Sequence, residues 1–165
     1  MNRSVSRFVS SLLIVVASLL FTGCKPAQAP VQAVAPPTAP ANNDDKAWQN
    51  YLQYVIAHNM EGVTDRTSNY YLPASGGVDY QGKYDRQLQG VQEAVQRGVL
   101  PGNMLTFGSP DSAKIADLVV AAYKDSGAGS MKGVIVLFIG KAADKERVAA
   151  AVAPSGATFK FVEAK

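Results

Sequence analysis

Residues 134–139 form a continuous apolar run, VIVLFI. A strand has this composition when both of its faces are covered, as in a parallel sheet with helices packed against it. Shorter apolar segments lie before and after it, at 104–107 and 158–162, and a segment with helical periodicity separates each pair. The order strand–helix–strand–helix–strand predicts an α/β fold with a largely parallel sheet.

Two helices are predicted before this layer, at 44–60 and 79–97, because both segments carry apolar side chains at helical spacing. The segment 63–79 between them contains Pro73 and two adjacent glycines, so we expect a long loop with a short strand at 69–72. The prediction is therefore one globular α/β domain at 44–165, with two N-terminal helices followed by the strand–helix layer. Ser109 before Pro110 predicts the start of the helix after the 104–107 strand.

The beginning of the chain has the properties of a secretion signal. A short, positively charged start precedes an apolar stretch at 8–21. This stretch is shorter than the roughly 20 residues that a helix needs to cross a bilayer. It ends at Gly23-Cys24, and Cys24 is the only cysteine of the chain. A lone cysteine excludes an internal disulfide, and its position suggests a covalent attachment point.

This ending resembles the lipobox of bacterial lipoproteins, and the resemblance covers residues 1–24. It implies that residues 1–23 are a signal peptide, that Cys24 is lipidated and that the mature protein is anchored in a bilayer through Cys24. The residue after the cysteine is Lys25 rather than an aspartate, and in this the chain resembles lipoproteins destined for the outer membrane. The implied location is the outer membrane with the domain facing the periplasm, and the inner membrane and the cell surface remain open.

Residues 24–43 are predicted to be a Pro/Ala-rich linker. Five prolines favour an extended chain, which could separate the domain from the membrane by roughly 60 Å. Once the two arginines of the signal are removed, 14 basic residues face 13 acidic ones. Because no concentrated basic face is evident, we expect no nucleic-acid partner.

His58 is the only histidine. With Glu61 and Asp65 it could form a metal site if the first helix continued past Gly62, which more readily ends a helix. His58 would also be the base of any serine hydrolase, with Ser109 as nucleophile, and a Ser–Lys pair is the other possibility. Because neither pattern is specific, we predict no catalytic residue, no metal and no cofactor. An envelope hydrolase using His58 or a Ser–Lys pair remains the alternative.

Six of the seven tyrosines lie between residues 51 and 84. Arg66, Tyr70 and Tyr71 fall in the loop region, and both residue types are enriched at protein-binding hot spots. We therefore predict these three as partner-binding residues. The predicted function is a membrane-anchored, non-enzymatic binding module with a protein partner in the envelope, either an immunity or inhibitor protein or an envelope-associated factor. A structural lipoprotein that associates with its own copies is a further alternative.

Overall fold

The computed structural model describes residues 37–165. The predicted signal at 1–23, Cys24 and most of the linker lie outside the described residues. Between residues 37 and 165, no helix combines the length and the apolar character that crossing a membrane requires.

The described part of the chain is a mixed α/β domain, which confirms the predicted fold class. Its four strands form one sheet in the order β1-β2-β3-β4, and every neighbouring pair is parallel. The elements are α1 (Asp45–Ala57), β1 (Thr67–Tyr71), α2 (Tyr80–Arg97), β2 (Met104–Gly108), α3 (Ser112–Tyr123), β3 (Ile135–Gly140), α4 (Ala142–Val152) and β4 (Thr158–Glu163).

Helices cover both faces of the sheet, as the unbroken apolar run of β3 predicts. α2, α3 and α4 pack on one face, as expected when successive parallel crossovers have the same hand. α1 packs alone on the other face. Because side chains alternate along a strand, the two cores receive alternate residues. The first core takes Leu105, Phe107, Val136 and Phe138, and the second takes Met104, Ile135, Leu137 and Ile139.

An aromatic row crosses the whole sheet on the face of α2, α3 and α4. Tyr70, Phe107, Phe138 and Phe161 are in register on the four consecutive strands. The rings of Tyr70 and Phe107 are stacked with centroids 5.1 Å apart, and those of Phe138 and Phe161 are 6.2 Å apart. Each edge strand therefore contributes one aromatic side chain to this row.

The short strand expected at 69–72 is present as β1, and it brings the number of strands in the sheet to four. β1 spans Thr67–Tyr71 and pairs with β2 from Thr67 opposite Met104 to Tyr71 opposite Gly108. Its sequence, TSNYY, lacks the apolar run of an inner strand because it lies at an edge and is only partly covered. The predicted strand at 158–162 is the opposite edge, as expected.

Two helix boundaries differ from the sequence pattern. α1 ends at Ala57 rather than near Met60. Asp44 caps its start, with its carboxylate accepting the Ala47 N–H at 2.7 Å. α3 begins at Ser112 rather than after Ser109. The Ser109 hydroxyl instead accepts the N–H of Asp111 at 3.0 Å, so it caps a turn that precedes the helix.

The end of the linker is packed against the domain. The Ala39 N–H donates to the carbonyl of Lys165, and the Trp48 indole N–H donates to the carbonyl of Asn42 at 2.8 Å. The packed part of the chain therefore starts before Asp44. It enters the domain beside the end of β4.

Candidate functional site

The outer edge of β1 carries backbone groups that have no strand beside them among residues 37–165. The Met104 N–H donates to the Arg66 carbonyl, and the Leu72 N–H donates to the Gly108 carbonyl. In a parallel pair this register directs alternate residues toward the neighbouring strand. The N–H and C=O groups of Thr67 and Asn69 therefore point away from the sheet. Such an edge is a template for another strand.

A groove of about 210 Å³ separates α1 from β1. α1 lies over the middle of the sheet because Gly108 has no side chain. A Cβ at Gly108 would lie 2.5 Å from a methyl carbon of Leu52 on α1. The close approach of α1 to β2 leaves the α1-facing side of β1 uncovered. Apolar Leu52, Ile56 and Ile139 form the floor of the groove, and polar residues that include Gln49, Gln53, Asn69 and Thr106 form its rim.

Tyr71 lies where this groove meets a second, open cavity of about 420 Å³ at the carboxyl end of β1. Its hydroxyl donates to the Asp45 carboxylate at 2.7 Å. Burial and this hydrogen bond raise the pKa of Tyr71 well above its usual value, so the phenol stays neutral at physiological pH. Lys83, Arg86 and Gln87 of α2 line the far side of the cavity.

The Gln87 amide donates to the outward carbonyl of Tyr71 at 3.3 Å. The outward groups of Thr67 and Asn69 remain available further along β1. The part of the edge that can pair with another chain therefore begins at the amino end of β1 and stops before Tyr71.

Tyr70 lies on the opposite face of β1 from Tyr71, as expected for neighbours in a strand. Its ring is half-buried and stacks on Phe107 at an interplanar angle of 12°. Burial raises the pKa of Tyr70, and the nearby guanidinium of Arg97 offsets part of that rise. Tyr70, which the sequence predicts as a partner-binding residue, is thus also part of the core.

Arg66 lies at the amino end of β1, away from Tyr71. It borders a cavity of about 320 Å³ together with Ser68, Arg97 and Asn103. The guanidinium is 3.9 Å from the Asp65 carboxylate, and 78% of its side chain is exposed. The three predicted residues therefore do not form one cluster. They are distributed along β1, with Arg66 at its start and the two tyrosines at its end.

His58 and Ser109, the pair considered for serine hydrolysis, lie near opposite ends of α1. His58 caps the carboxyl end of α1, where it stacks on Tyr54 and bonds the Tyr54 carbonyl. Ser109 borders a cavity beside Trp48, near the other end of the helix. His58 follows Trp48 by ten positions along the helix axis, a rise of about 15 Å. The structure therefore does not bring His58 and Ser109 together.

A second serine, Ser112, has a structural set of partners. Its hydroxyl donates to the Asp144 carboxylate at 2.6 Å and accepts the Lys141 N–H at 2.8 Å. Asp144 is buried and pairs with Arg147, which also binds Asp117 on α3 at 2.6 Å. This network joins the amino end of α4 to α3. Across the described range 37–165, no group of three His, Cys, Asp or Glu side chains is arranged to hold a metal ion.

A comparison with known proteins finds no matching family model, no similar curated protein and no similar solved structure.

The sequence pattern did not single out the amide side chains around β1. Gln49 and Gln53 lie on the polar side of α1, and Gln87 lies on α2. Each is ordinary on a solvated helix face, and only the position of β1 between these helices makes them neighbours. One signal was present: the spacing of four between Gln49 and Gln53 places both amides on one face, beside the apolar stripe.

Proposed function

We propose that this chain is a membrane-anchored, non-enzymatic protein-binding module of the bacterial envelope, which binds an extended segment of a partner protein along β1. The observation that carries this proposal is the unpaired edge of β1, where Thr67 and Asn69 direct their backbone groups outward. Addition of a strand to such an edge gives affinity through main-chain hydrogen bonds.

The surroundings of β1 support an extended occupant. One cavity lies at each end of the strand, and the groove under α1 runs beside it. Alternate side chains of an added strand point to opposite faces, so one set would enter the groove beside Leu52 and Ile56. The amides of Gln49 and Gln53 could bond backbone groups of the same segment. This combination of an apolar floor and amide donors suits a peptide better than a small rigid ligand.

The chain ahead of the domain supports the anchored location. The proposed lipid at Cys24 would hold the protein in the membrane, and the linker would give β1 freedom to reach a partner. The chain enters the domain at Ala39, beside β4, so β1 is the edge further from the tether.

Site-specific photo-crosslinking in living cells tests the proposal. A photoreactive residue replaces Gln53, which is exposed on the rim of the groove, or, as a control, Ala143, which is exposed on α4. We expect a discrete adduct with one envelope protein from position 53 and none from position 143.

Thr67→Pro supplies the second control. It removes one outward N–H from β1 without removing a hydrogen bond of the sheet, so it should abolish the adduct at position 53. The proposal fails if both positions give the same adducts, or if the adduct persists unchanged in the Thr67→Pro variant.

A further inference from the structure

The cavity at the amino end of β1 carries two guanidinium groups. Arg66 reaches it from the residue before the strand, and Arg97 reaches it from the last turn of α2. Among the described residues at its border, the only acidic one is Asp65, whose carboxylate accepts the Asn103 amide at 3.2 Å and lies 3.9 Å from the Arg66 guanidinium. Among the ion pairs of residues 37–165, Arg97 has no carboxylate partner. The cavity therefore has a positive balance of charge.

The same cavity has an apolar side. Leu100 is 73% exposed, and Val99 and the buried Leu105 also line the cavity. A ligand that places an anionic group between the guanidiniums could rest an adjoining apolar side chain on Leu100. Arginine forks bind carboxylates through paired hydrogen bonds, which favours a carboxylate as the anion.

The direction of strand addition indicates which carboxylate would arrive there. Antiparallel pairing is somewhat more stable per residue than parallel pairing. A segment that adds antiparallel to β1 runs from the Tyr71 end toward Arg66. Its carboxyl end therefore reaches the cavity of Arg66 and Arg97.

We propose that Arg66 and Arg97 form a subsite for the terminal carboxylate of the partner segment, whose last apolar side chain packs on Leu100. This inference rests on the proposed function, because it assumes that β1 receives the segment. It adds that the partner ends at β1, so that the module recognises a free carboxyl terminus.

Arg97 has another role that the test must separate. A cation in the last turn of a helix interacts favourably with the helix dipole. Arg97→Lys keeps this charge at the end of α2 but lacks the planar fork. Arg66 lies outside any helix, so Arg66→Gln removes its charge without that complication.

The experiment uses residues 25–165 and a library of random heptapeptides displayed with free carboxyl termini. Binders that lose affinity for the Thr67→Pro variant are synthesised as free acids, as amides and as acids extended by two glycines. We expect the free acid to bind about tenfold or more tightly than the amide, as charge-assisted hydrogen bonds require. In Arg66→Gln and Arg97→Lys this difference should shrink to about twofold, while the affinity of the amide stays the same.

The outcomes separate the two proposals. Equal affinity of acid and amide for the unchanged protein overturns the carboxylate subsite and leaves strand addition intact. Equal affinity of the acid and its glycine-extended form identifies an internal segment and also overturns it. If no peptide in the library depends on Thr67, strand addition to β1 fails, and the subsite fails with it.

Discussion

The two edge strands of the sheet are alike on one face and different on the other. On the face of α2, α3 and α4, Tyr70 of β1 and Phe161 of β4 occupy equivalent places at the ends of the aromatic row. On the face of α1, Lys160 of β4 reaches across to donate to the Glu61 carbonyl at 2.7 Å. The corresponding face of β1 borders a groove instead.

The outward backbone groups of the two edge strands also have different surroundings. Just past the end of β4, the carbonyl of Lys165 accepts the Ala39 N–H, so the described end of the linker bonds the chain beside that edge. A charged side chain and a covering segment are devices that protect an edge strand from unwanted pairing. Within residues 37–165, the outward groups of β1 have the Gln87 bond at Tyr71 and no backbone partner at Thr67 and Asn69. Among residues 37–165, the β4 edge thus has a charged side chain bonded on its α1 face and a linker bond just past its end, whereas the β1 edge has the Gln87 bond and lies between cavities.

The largest effect is expected from removing the aromatic side chain that each edge strand contributes to the row. Tyr70→Ala and Phe161→Ala should each lower the free energy of unfolding by about 2–4 kcal/mol, because each ring is half-buried and stacked. Urea denaturation of both variants measures the two losses. A loss below about 1 kcal/mol for Tyr70→Ala alone would make Tyr70 a surface residue and strengthen its predicted role as a direct contact.

A matched pair of prolines tests whether the edge of β1 is open. Ser68→Pro removes an N–H that bonds β2 and leaves a carbonyl of β2 without its partner, which should cost about 1–3 kcal/mol. Thr67→Pro removes an outward N–H, so its effect on the free energy of unfolding should be below about 1 kcal/mol. Thermal or urea unfolding compares the two. Equal losses would contradict the register that places Thr67 at a free edge.

The difference between the edges also explains what the sequence can predict. β4 alternates TFKFV, and β3 is wholly apolar, so periodicity identified both. β1 gives a weak signal because Ser68 and Asn69 are polar, as an uncovered edge allows. The open edge and its neighbouring amides depend on the packing of α1 and α2 around β1. Such long-range packing leaves no local pattern in the chain.

The predicted site shows the same limit. Arg66, Tyr70 and Tyr71 all lie on or next to β1, and their role as partner contacts stays a prediction. The sequence could not separate the ring that stacks in the core from the ring that borders the groove. That assignment follows from the alternation of side chains once the strand and its register are known.

Alkaline pH should weaken the β1 side of the core more than the β4 side. Tyr123 of α3 is 2% exposed, its hydroxyl lacks a hydrogen-bond partner within the described residues, and the nearby Tyr70 is on β1. Burial raises the pKa of Tyr123 above the ordinary value of 10. Above about pH 10 the unfolded chain therefore binds fewer protons than the folded one, and the free energy of unfolding falls as pH rises. β4 contains no tyrosine.

Tyr123→Phe isolates this effect. Near neutral pH its free energy of unfolding should equal or exceed that of the unchanged protein, because a buried hydroxyl without a partner is removed. Above pH 10 its stability should fall less steeply, by up to about 1.4 kcal/mol per pH unit. Denaturation series at pH 8, 10 and 11 measure both slopes. Parallel slopes would show that Tyr123 ionises without unfolding the domain.

The smallest effect is expected from the Tyr71 hydroxyl. Its bond to Asp45 is exposed, so Tyr71→Phe should lower the free energy of unfolding by less than about 1 kcal/mol. Because Asp45 already accepts this hydroxyl, the ring rather than the hydroxyl is available to a segment in the groove. Tyr71→Phe should therefore keep the affinity for a Thr67-dependent peptide within about twofold, whereas Tyr71→Ala should lower it by about tenfold, as the loss of an aromatic contact predicts. Titration of the same peptide against both variants measures the difference. An equal loss in Tyr71→Phe would place the hydroxyl in contact with the partner and would require Asp45 to release it on binding, which makes the amino end of α1 part of the binding edge.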